Sequence, residues 1–395
     1  MTLRPAYWED PEKTEFKSKI EEIDRDFIVL EETYFHPEGG GQPPDKGTIN
    51  GLKVNDVQIE EDKIVHRVPK HDFEIGDIAE GKIDEEFRRY CMRCHTGSHV
   101  VFGAARKLFG KVGYSGFEIG EGKVRIDFET DAHIDRDVLL KLERLSNQAI
   151  LDSLPLNFEI VRREEAENIR ELAYAKEMPD QEEVRLVEIE GWDKATCSGT
   201  HLSNTIYVGR IHIIDKIKLQ EGVTRINFAV GKPALTRDML QKMNLLKVEK
   251  MLDTNYENLS MEIRNLLDKE KKLEEKLEEL DEKILESELS NLDEYERTNY
   301  DLLLGSVSTE NTELLSHRIK DNTNPGDVIV VVNERGTLSA VISVGKGVKD
   351  ISANDLIRSL SKEFGGGGGG TDEFAQGGGF NTNPDELLVF VRNLL

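Results

Sequence analysis

Two short motifs, far apart in the chain, constrain its fold more than any other feature: His95 with His99, and Cys197 with His201. Three residues separate the members of each pair, so on a helix or across a tight turn both side chains leave the same face. Three imidazoles and a thiolate are donor types that divalent zinc prefers. If one ion is gripped by all four, everything between residues 99 and 197 must fold so that the second pair returns to the first. A lone His-x-x-x-His is an ordinary helix-surface pattern. This chain of 395 residues, however, has only nine histidines and three cysteines, and two matched pairs drawn from so small a stock point to one zinc ion per chain.

The run Cys91-Met92-Arg93-Cys94-His95 also spells the attachment pattern of c-type haem. That chemistry belongs outside the cytoplasm, and residues 1–10 are polar, with no apolar core of an export signal. Cys91 and Cys94 are therefore expected to be a buried thiol and a neighbour of the metal site. Three cysteines cannot build a disulfide framework. The longest apolar run, Val328 to Val332, suits a buried strand and is far too short to span a bilayer. A cytoplasmic protein that does not enter a membrane is expected.

A net charge of −25 argues against general affinity for nucleic acid, because like charges repel before contact. One stretch departs from this. Cys91 to Lys111 holds Arg93, Arg106, Lys107 and Lys111 and no acid, so it reads either as a local receiver of phosphates or as a solvated basic helix.

The expected class is α+β, in four parts. Residues 1–90 alternate short β-rich runs (27–30, 51–54, 63–68) with breaks at Pro37, Gly39–Gly41, Pro43-Pro44 and Gly47, which predicts a small antiparallel β-barrel. The glycines Gly39, Gly40 and Gly41 let backbone amides approach a ligand or let a flap close, although an ordinary hairpin loop has the same composition. Residues 91–240 read as an α/β domain containing both metal pairs, with a helix over 95–108, a strand over 123–128, a helix over 136–151 and strands around Ile189 and Ile211. In 241–297, Leu252, Tyr256, Leu259, Ile263, Leu266, Leu273, Leu277, Leu280 and Ile284 recur at three- and four-residue steps, broken only by Glu270. That pattern predicts a helical hairpin or a dimer-forming coiled coil, and a homodimer is expected through the coiled coil or the C-terminal domain. Residues 298–395 return to α/β, with strands over 328–332 and 340–344 and helices over 353–363 and 384–395. Gly365–Gly370 and Gly377–Gly379 lie between those helices and are expected to form a glycine-rich surface loop exposing backbone amides.

Phe35-His36-Pro37-Glu38-Gly39-Gly40-Gly41-Gln42, the two ligand pairs and Cys197-Ser198-Gly199-Thr200-His201, in this order, resemble the editing domain of alanyl-tRNA synthetases. They resemble still more its free-standing relatives, the AlaX family. Gly222-Val223-Thr224-Arg225-Ile226 is similar to the segment that closes that domain, and the glycine-rich tail after a coiled coil resembles the DHHA1 domain. The resemblance spans nearly the whole chain, with two departures: His36 stands where the family usually has Tyr, and the six glycines replace a more mixed motif. With no segment before residue 1 to supply aminoacylation, the resemblance leads one to expect a trans-acting editor and not a synthetase, and the lack of an Asp-His-His run argues against the phosphoesterases that also carry such a tail.

The resemblance implies a zinc-dependent trans-editing hydrolase that removes serine or glycine wrongly attached to tRNA(Ala). A zinc-stabilised tRNA-binding protein or a dimeric scaffold, neither hydrolytic, are the alternatives. The metal ligands are expected to be His95, His99, Cys197 and His201. Gln42, Thr96, Cys197 and Thr200 are the catalytic candidates, with Ser98 a further hydroxyl beside the ligands. Gly39, Gly40, Gly41, Arg93, Arg106, Lys107 and Lys111 are expected to contact substrate. Four protein ligands would close a tetrahedral shell, so whether zinc acts or only supports is left open by the sequence.

Overall fold

The computed structural model describes residues 4–169, 172 and 182–395. The chain divides into two compact units, 1–248 and 249–395. No helix among the described residues is long and apolar enough to cross a membrane.

The first unit opens with seven antiparallel strands: β1 (Glu15–Asp24), β2 (Phe27–Leu30), β3 (Gly47–Ile49), β4 (Leu52–Val54), β5 (Asp56–Glu60), β6 (Lys63–Arg67) and β7 (Ile78–Ile83). Their order is β4-β3-β7-β1-β2-β6-β5. Strand β1 pairs with β7 through residues 15–19 and with β2 from Ile20 onward, with an irregularity in register between Ile20 and Glu22. The two edge strands, β4 and β5, are separated by Asn55 alone, so the sheet curls back until it nearly closes. Phe16, Ser18 and Ile20 alternate inward along β1, and Phe16 and Ile20 join Ile28, Phe35, Ile49 and Val57 in the core.

Helix α1 (Glu85–Phe109) follows at once, and so runs through the boundary expected at residue 90. Asp84 caps it by accepting from Phe87 N–H, Glu85 and Glu86 sit in its first turn, and Gly110 at φ 75° ends it. From Cys91 to Ala105 it is buried almost all round. That is possible because it lies against two sheets and a second helix, α2 (Arg136–Leu151). One sheet has the order β13-β14-β9-β8, from β8 (Gly113–Gly120), β9 (Lys123–Glu129), β13 (Ile211–Gln220) and β14 (Val223–Val230). The other has the order β10-β11-β12, from β10 (Leu156–Arg162), β11 (Glu183–Ile189) and β12 (Asp193–Thr196). The short α3 (Arg163–Glu167) follows β10, and α4 (Lys232–Met251) ends this part of the chain. Gly103 lets Trp192 approach α1 closely, where the indole N–H donates to Val100 O at 2.9 Å.

The second unit holds α5 (Leu259–Ser290) and a six-stranded sheet of β15 (Asp293–Glu296), β16 (Asp301–Val307), β17 (Asp327–Asn333), β18 (Ser339–Val344), β19 (Gly367–Gly370) and β20 (Phe374–Gly378). Helix α6 (Thr312–Asn322) makes the crossover between β16 and β17, the sheet's parallel pair. Helices α7 (Ala353–Phe364) and α8 (Pro384–Leu394) complete the unit. The uninterrupted apolar run 328–332 is explained by burial on both faces. Val328, Val330 and Val332 pack with Leu356, Ile357 and Leu387, while Ile329 and Val331 pack with Leu285, Leu315 and Ile319.

Three further expectations need correction. The apolar steps expected over 252–284 cross a break: α4 ends at Met251 and α5 begins at Leu259, so Leu252 and Tyr256 lie in the turn between them. Within α5, Ile263, Leu266, Leu273, Leu277, Leu280 and Ile284 are 42–66% exposed, and Leu285 is its buried residue. The glycine-rich segment is less a loop than a hairpin, since Gly367–Gly370 form edge strand β19 on β20. Strand β15 also lies in the C-terminal sheet, on the other side of the boundary expected at residue 297.

Candidate metal centre

Helix α1 presents His95 and His99 one turn apart, their rings stacked with centroids 5.8 Å apart. The second pair sits on the loop that leaves β12. Cys197 N–H still donates to Arg185 O on β11 at 3.0 Å, and the loop then turns inward so that His201 is fully buried. Gly199 passes directly against the His95 ring, where no side chain would fit. The four potential ligand atoms lie within 4.8 Å of one another. Cys197 Sγ is 3.1 Å from His95 Nε2 and 3.2 Å from His201 Nε2.

Each imidazole is held from behind. His95 Nδ1 is 2.9 Å from Gln42 Oε1, His99 Nδ1 is 2.7 Å from Asp193 Oδ2, and His201 Nδ1 is 3.5 Å from Thr96 Oγ1. With Nδ1–H given to these acceptors, the Nε2 lone pairs are free for a shared ion, the arrangement that orients histidines around metals. The electrostatics favour an anionic sulfur, and His99 must release its Nε2 proton to bind a metal. Burial pushes the Cys197 thiol up, but His95 and His201 outweigh it and hold the group well below its ordinary value, as a thiolate. Burial opposes protonation of His99, yet hydrogen bonds to Asp193 and Cys197 push it up to about 10, while burial holds His201 well below its usual value. A thiolate ringed by three oriented imidazoles fits a divalent cation. Cys91 and Cys94 are different: both are fully buried, burial raises both thiols, and Cys94 reaches about 12, which makes them inert.

A cavity of about 330 Å³ opens beside this cluster, and His95, His99 and Cys197 form part of its wall. Gly39, Gly40 and Ser98 also line it, with Tyr7, Trp8 and His36 from the first unit's N-terminal region. Gln42, Thr96 and Thr200 do not. All three are buried, and Gln42 accepts from His95 and from Thr200 N–H while donating to Thr200 Oγ1 at 2.9 Å. Thr96 Oγ1 accepts from Leu202 N–H at 3.0 Å. These groups hold the ligands rather than face a ligand-binding space. Gly41, at φ 82°, packs on the Phe117 backbone outside the cavity.

The basic residues of α1 separate. Arg106 pairs with Asp193 at 3.5 Å, behind His99; Arg93 donates to Tyr207 O at 3.1 Å; Lys107 lies 4.8 Å from the Trp192 ring centre; Lys111 is exposed. Sequence reasoning missed Asp193, which no motif or spacing marked. It also missed Arg185, which clamps the ligand loop by donating to Gly199 O at 2.7 Å, and Trp8, whose indole donates to Ser198 O at 3.0 Å.

Comparison with known proteins gives three family matches. Residues 8–87 match tRNA synthetases class II (A), residues 184–227 match the threonyl and alanyl tRNA synthetase second additional domain, and residues 307–395 match the DHHA1 domain. Among curated proteins, the alanine–tRNA ligase of Methanopyrus kandleri is 32% identical over 98% of this chain and 44% of the relative. That of Pyrococcus abyssi is 33% identical over 95% of this chain and 42% of the relative. The chain thus spans less than half the length of these relatives. Among solved structures, the C-Ala domain from Aquifex aeolicus alanyl-tRNA synthetase is 28% identical, covering 26% of this chain and 98% of that one at a TM-score of 0.24.

Proposed function

We propose a hydrolytic role for this chain, which is an AlaX-like protein related to the alanyl-tRNA synthetase editing domain, in the long form that ends in a DHHA1 domain. The reaction is deacylation of tRNA(Ala) carrying serine or glycine. Water adds to the ester carbonyl carbon, the bond to the terminal ribose oxygen breaks, and that oxygen takes up a proton. The observation that carries this reading is the convergence of His95, His99, Cys197 and His201, the first three on the wall of a cavity, within a chain matching the second additional domain. These four residues would hold a zinc ion, which would supply Lewis acidity toward the substrate's polar groups.

The protein's own contribution is placement. Gln42, Asp193 and Thr96 fix the three rings, so each is a positioning residue; Gln42 and Thr96 lie outside the cavity, and Asp193 is part of its wall. Backbone at Gly39 and Gly40 and the Ser98 hydroxyl face the aminoacyl end, and Tyr7, Trp8 and Tyr114 exclude bulk water around it. An aminoacyl ester is already activated, so orientation and modest polarisation suffice. Arg93, Lys107 and Lys111 contact phosphates of the acceptor end, whereas Arg106 supports Asp193. The DHHA1 domain grips the tRNA body.

The decisive assay is release of amino acid from seryl-, glycyl- and alanyl-tRNA(Ala), with metal content measured in parallel. Seryl and glycyl esters should be cleaved and alanyl ester spared, and His99→Ala or Cys197→Ala should lose zinc and activity together. Full hydrolysis by metal-free protein would remove the metal from the reaction. A second reading follows from the donor count. Four protein ligands complete a tetrahedral shell, as in structural zinc sites, and in that case the protein binds tRNA without cleaving any of the three esters.

A further inference from the structure

The cavity wall carries one polar ring whose hydrogen bonding is incomplete. His36 is 2% exposed and lines the cavity together with His95, His99 and Cys197. Its backbone is fixed, because its N–H donates to Asp45 Oδ2 at 2.5 Å and Asp45 is paired with the buried Arg88. Its ring rests 5.0 Å from the Tyr7 ring. Yet His36 Nδ1 has no hydrogen-bond partner. Several neighbouring polar groups on the wall are engaged: Ser98 Oγ donates to His95 O, Trp8 Nε1 to Ser198 O, and Arg185 to Gly199 O, while Asp193 Oδ1, also without a hydrogen-bond partner, faces the charge of Arg106 at 3.5 Å. A buried polar atom left unpaired is unfavourable, and beside a binding cavity a ligand can complete it.

We propose that His36 is a specificity-determining residue, whose ring pairs with the side-chain hydroxyl of a seryl group and so selects serine over glycine and alanine. This inference rests on the editing reading and names the preferred substrate of that site. A hydroxyl both donates and accepts, so it satisfies the imidazole in either tautomer. Glycine offers nothing to the ring, and alanine sets a methyl group against it. The surrounding wall, with Tyr7, Pro37, Phe102 and Ile126, offers an aminoacyl side chain mainly apolar contact. A single neutral hydrogen bond of this kind is worth about tenfold in affinity.

The test uses the zinc-loaded full chain and two non-hydrolysable probes, seryl- and glycyl-amides of 3′-amino-3′-deoxyadenosine, with binding followed by calorimetry. The wild-type chain should favour the seryl probe about tenfold. His36→Leu should abolish that preference while leaving glycyl affinity and zinc content unchanged. His36→Asn, whose amide sits near the Nδ1 position, should retain it. His36→Phe, which keeps the ring shape, replaces His36→Leu if that variant does not fold. A preference that survives in His36→Leu, an equal loss on both probes, or no preference in the wild-type chain overturns the inference. Seryl selectivity in binding without release of serine from seryl-tRNA(Ala) would defeat the deacylase reading and leave the role of His36 standing. Hydrolysis of seryl-tRNA(Ala), with an unchanged seryl-to-glycyl ratio in His36→Leu, would do the reverse.

Discussion

One added methyl group should dismantle the candidate metal centre. A Cβ built on Gly199 falls closer than 3.0 Å to both Cε1 and Nδ1 of His95, and 3.1 Å from Gln42 Oε1. Carbon atoms in ordinary contact sit roughly 3.5–4.0 Å apart, so in Gly199→Ala the His95 ring must retreat by about 1 Å or the loop must lift away. Either movement breaks the 2.9 Å hydrogen bond between His95 and Gln42 and shifts a ligand atom. Metal–ligand distances tolerate only about 0.2 Å, and loss of an outer hydrogen bond alone weakens metal binding by roughly 10–100-fold. Overpacking adds about 1–3 kcal/mol of destabilisation to the fold. Zinc affinity is measured by competition with a chromophoric chelator, with thermal unfolding followed alongside. Gly39→Ala is the control, because a Cβ there meets nothing within 4 Å. If Gly199→Ala binds zinc as tightly as Gly39→Ala, the His95 ring is not packed against this loop as described, and the proposed ligand geometry falls with it.

Three further outcomes follow. Asp193→Asn exchanges the charged acceptor at 2.7 Å from His99 for a neutral one of similar size, and chelator competition should show zinc affinity about tenfold lower; an unchanged affinity would mean Asp193 does not orient His99. Burial lowers His66 from its ordinary 6.5 to about 4, so as pH falls through 6.5 the unfolded chain gains a proton that the folded chain does not. The stability this residue confers is therefore complete above its ordinary value and falls by about 1.4 kcal/mol per pH unit until its folded value is reached, about 3 kcal/mol in all. Urea midpoints should then drop more steeply on acidification in the wild-type chain than in His66→Gln, and equal slopes would contradict this. Finally, the exposed apolar stripe of α5 predicts self-association. Sedimentation should give a dimer for the full chain and a monomer for the triple variant Leu273→Glu, Leu277→Glu, Leu280→Glu, whereas a wild-type monomer would leave the stripe without this role.

The parts of the molecule that could be read from sequence share a physical reason: their signals were rare or periodic. The four ligand candidates come from scarce residue types at helical spacing, and the structure brings them together. Helix α2 was legible because Asp135 caps its start and apolar positions recur along it. Asp193 was not, since one carboxylate among 77 acidic residues carries no mark of its partner. Gln42, Thr96 and Thr200 were placed in the right neighbourhood with the wrong orientation, because sequence does not say which side of a ligand a hydroxyl or amide will occupy. The break before α5 was signalled by Asp253-Thr254-Asn255, but Leu252 and Tyr256 happened to continue the apolar spacing across it. Glycine-rich sequence suggests a loop because glycine weakens strands. Here it forms one because β19, β20 and α7 approach so closely that a Cβ on Gly368 or Gly377 would come within 3.0 Å of Ile357 Cγ2.

The spacing along α1 explains how distant segments become one site. Arg88 precedes His95 by seven residues, two turns earlier on the same helix face, and His99 follows by four. Arg88 is fully buried and donates to Asp45, Pro11 O and Tyr34 O, so it anchors the loop between β2 and β3 to the helix. That loop delivers Gln42 to His95 and Thr200, and delivers His36, Gly39 and Gly40 to the cavity wall. One helix face therefore sets both the ligand positions and the wall facing them. Thr200, which pairs with Gln42 through both its hydroxyl and its N–H, directly precedes His201, so the glycine loop and the second ligand pair are tied to the same helix.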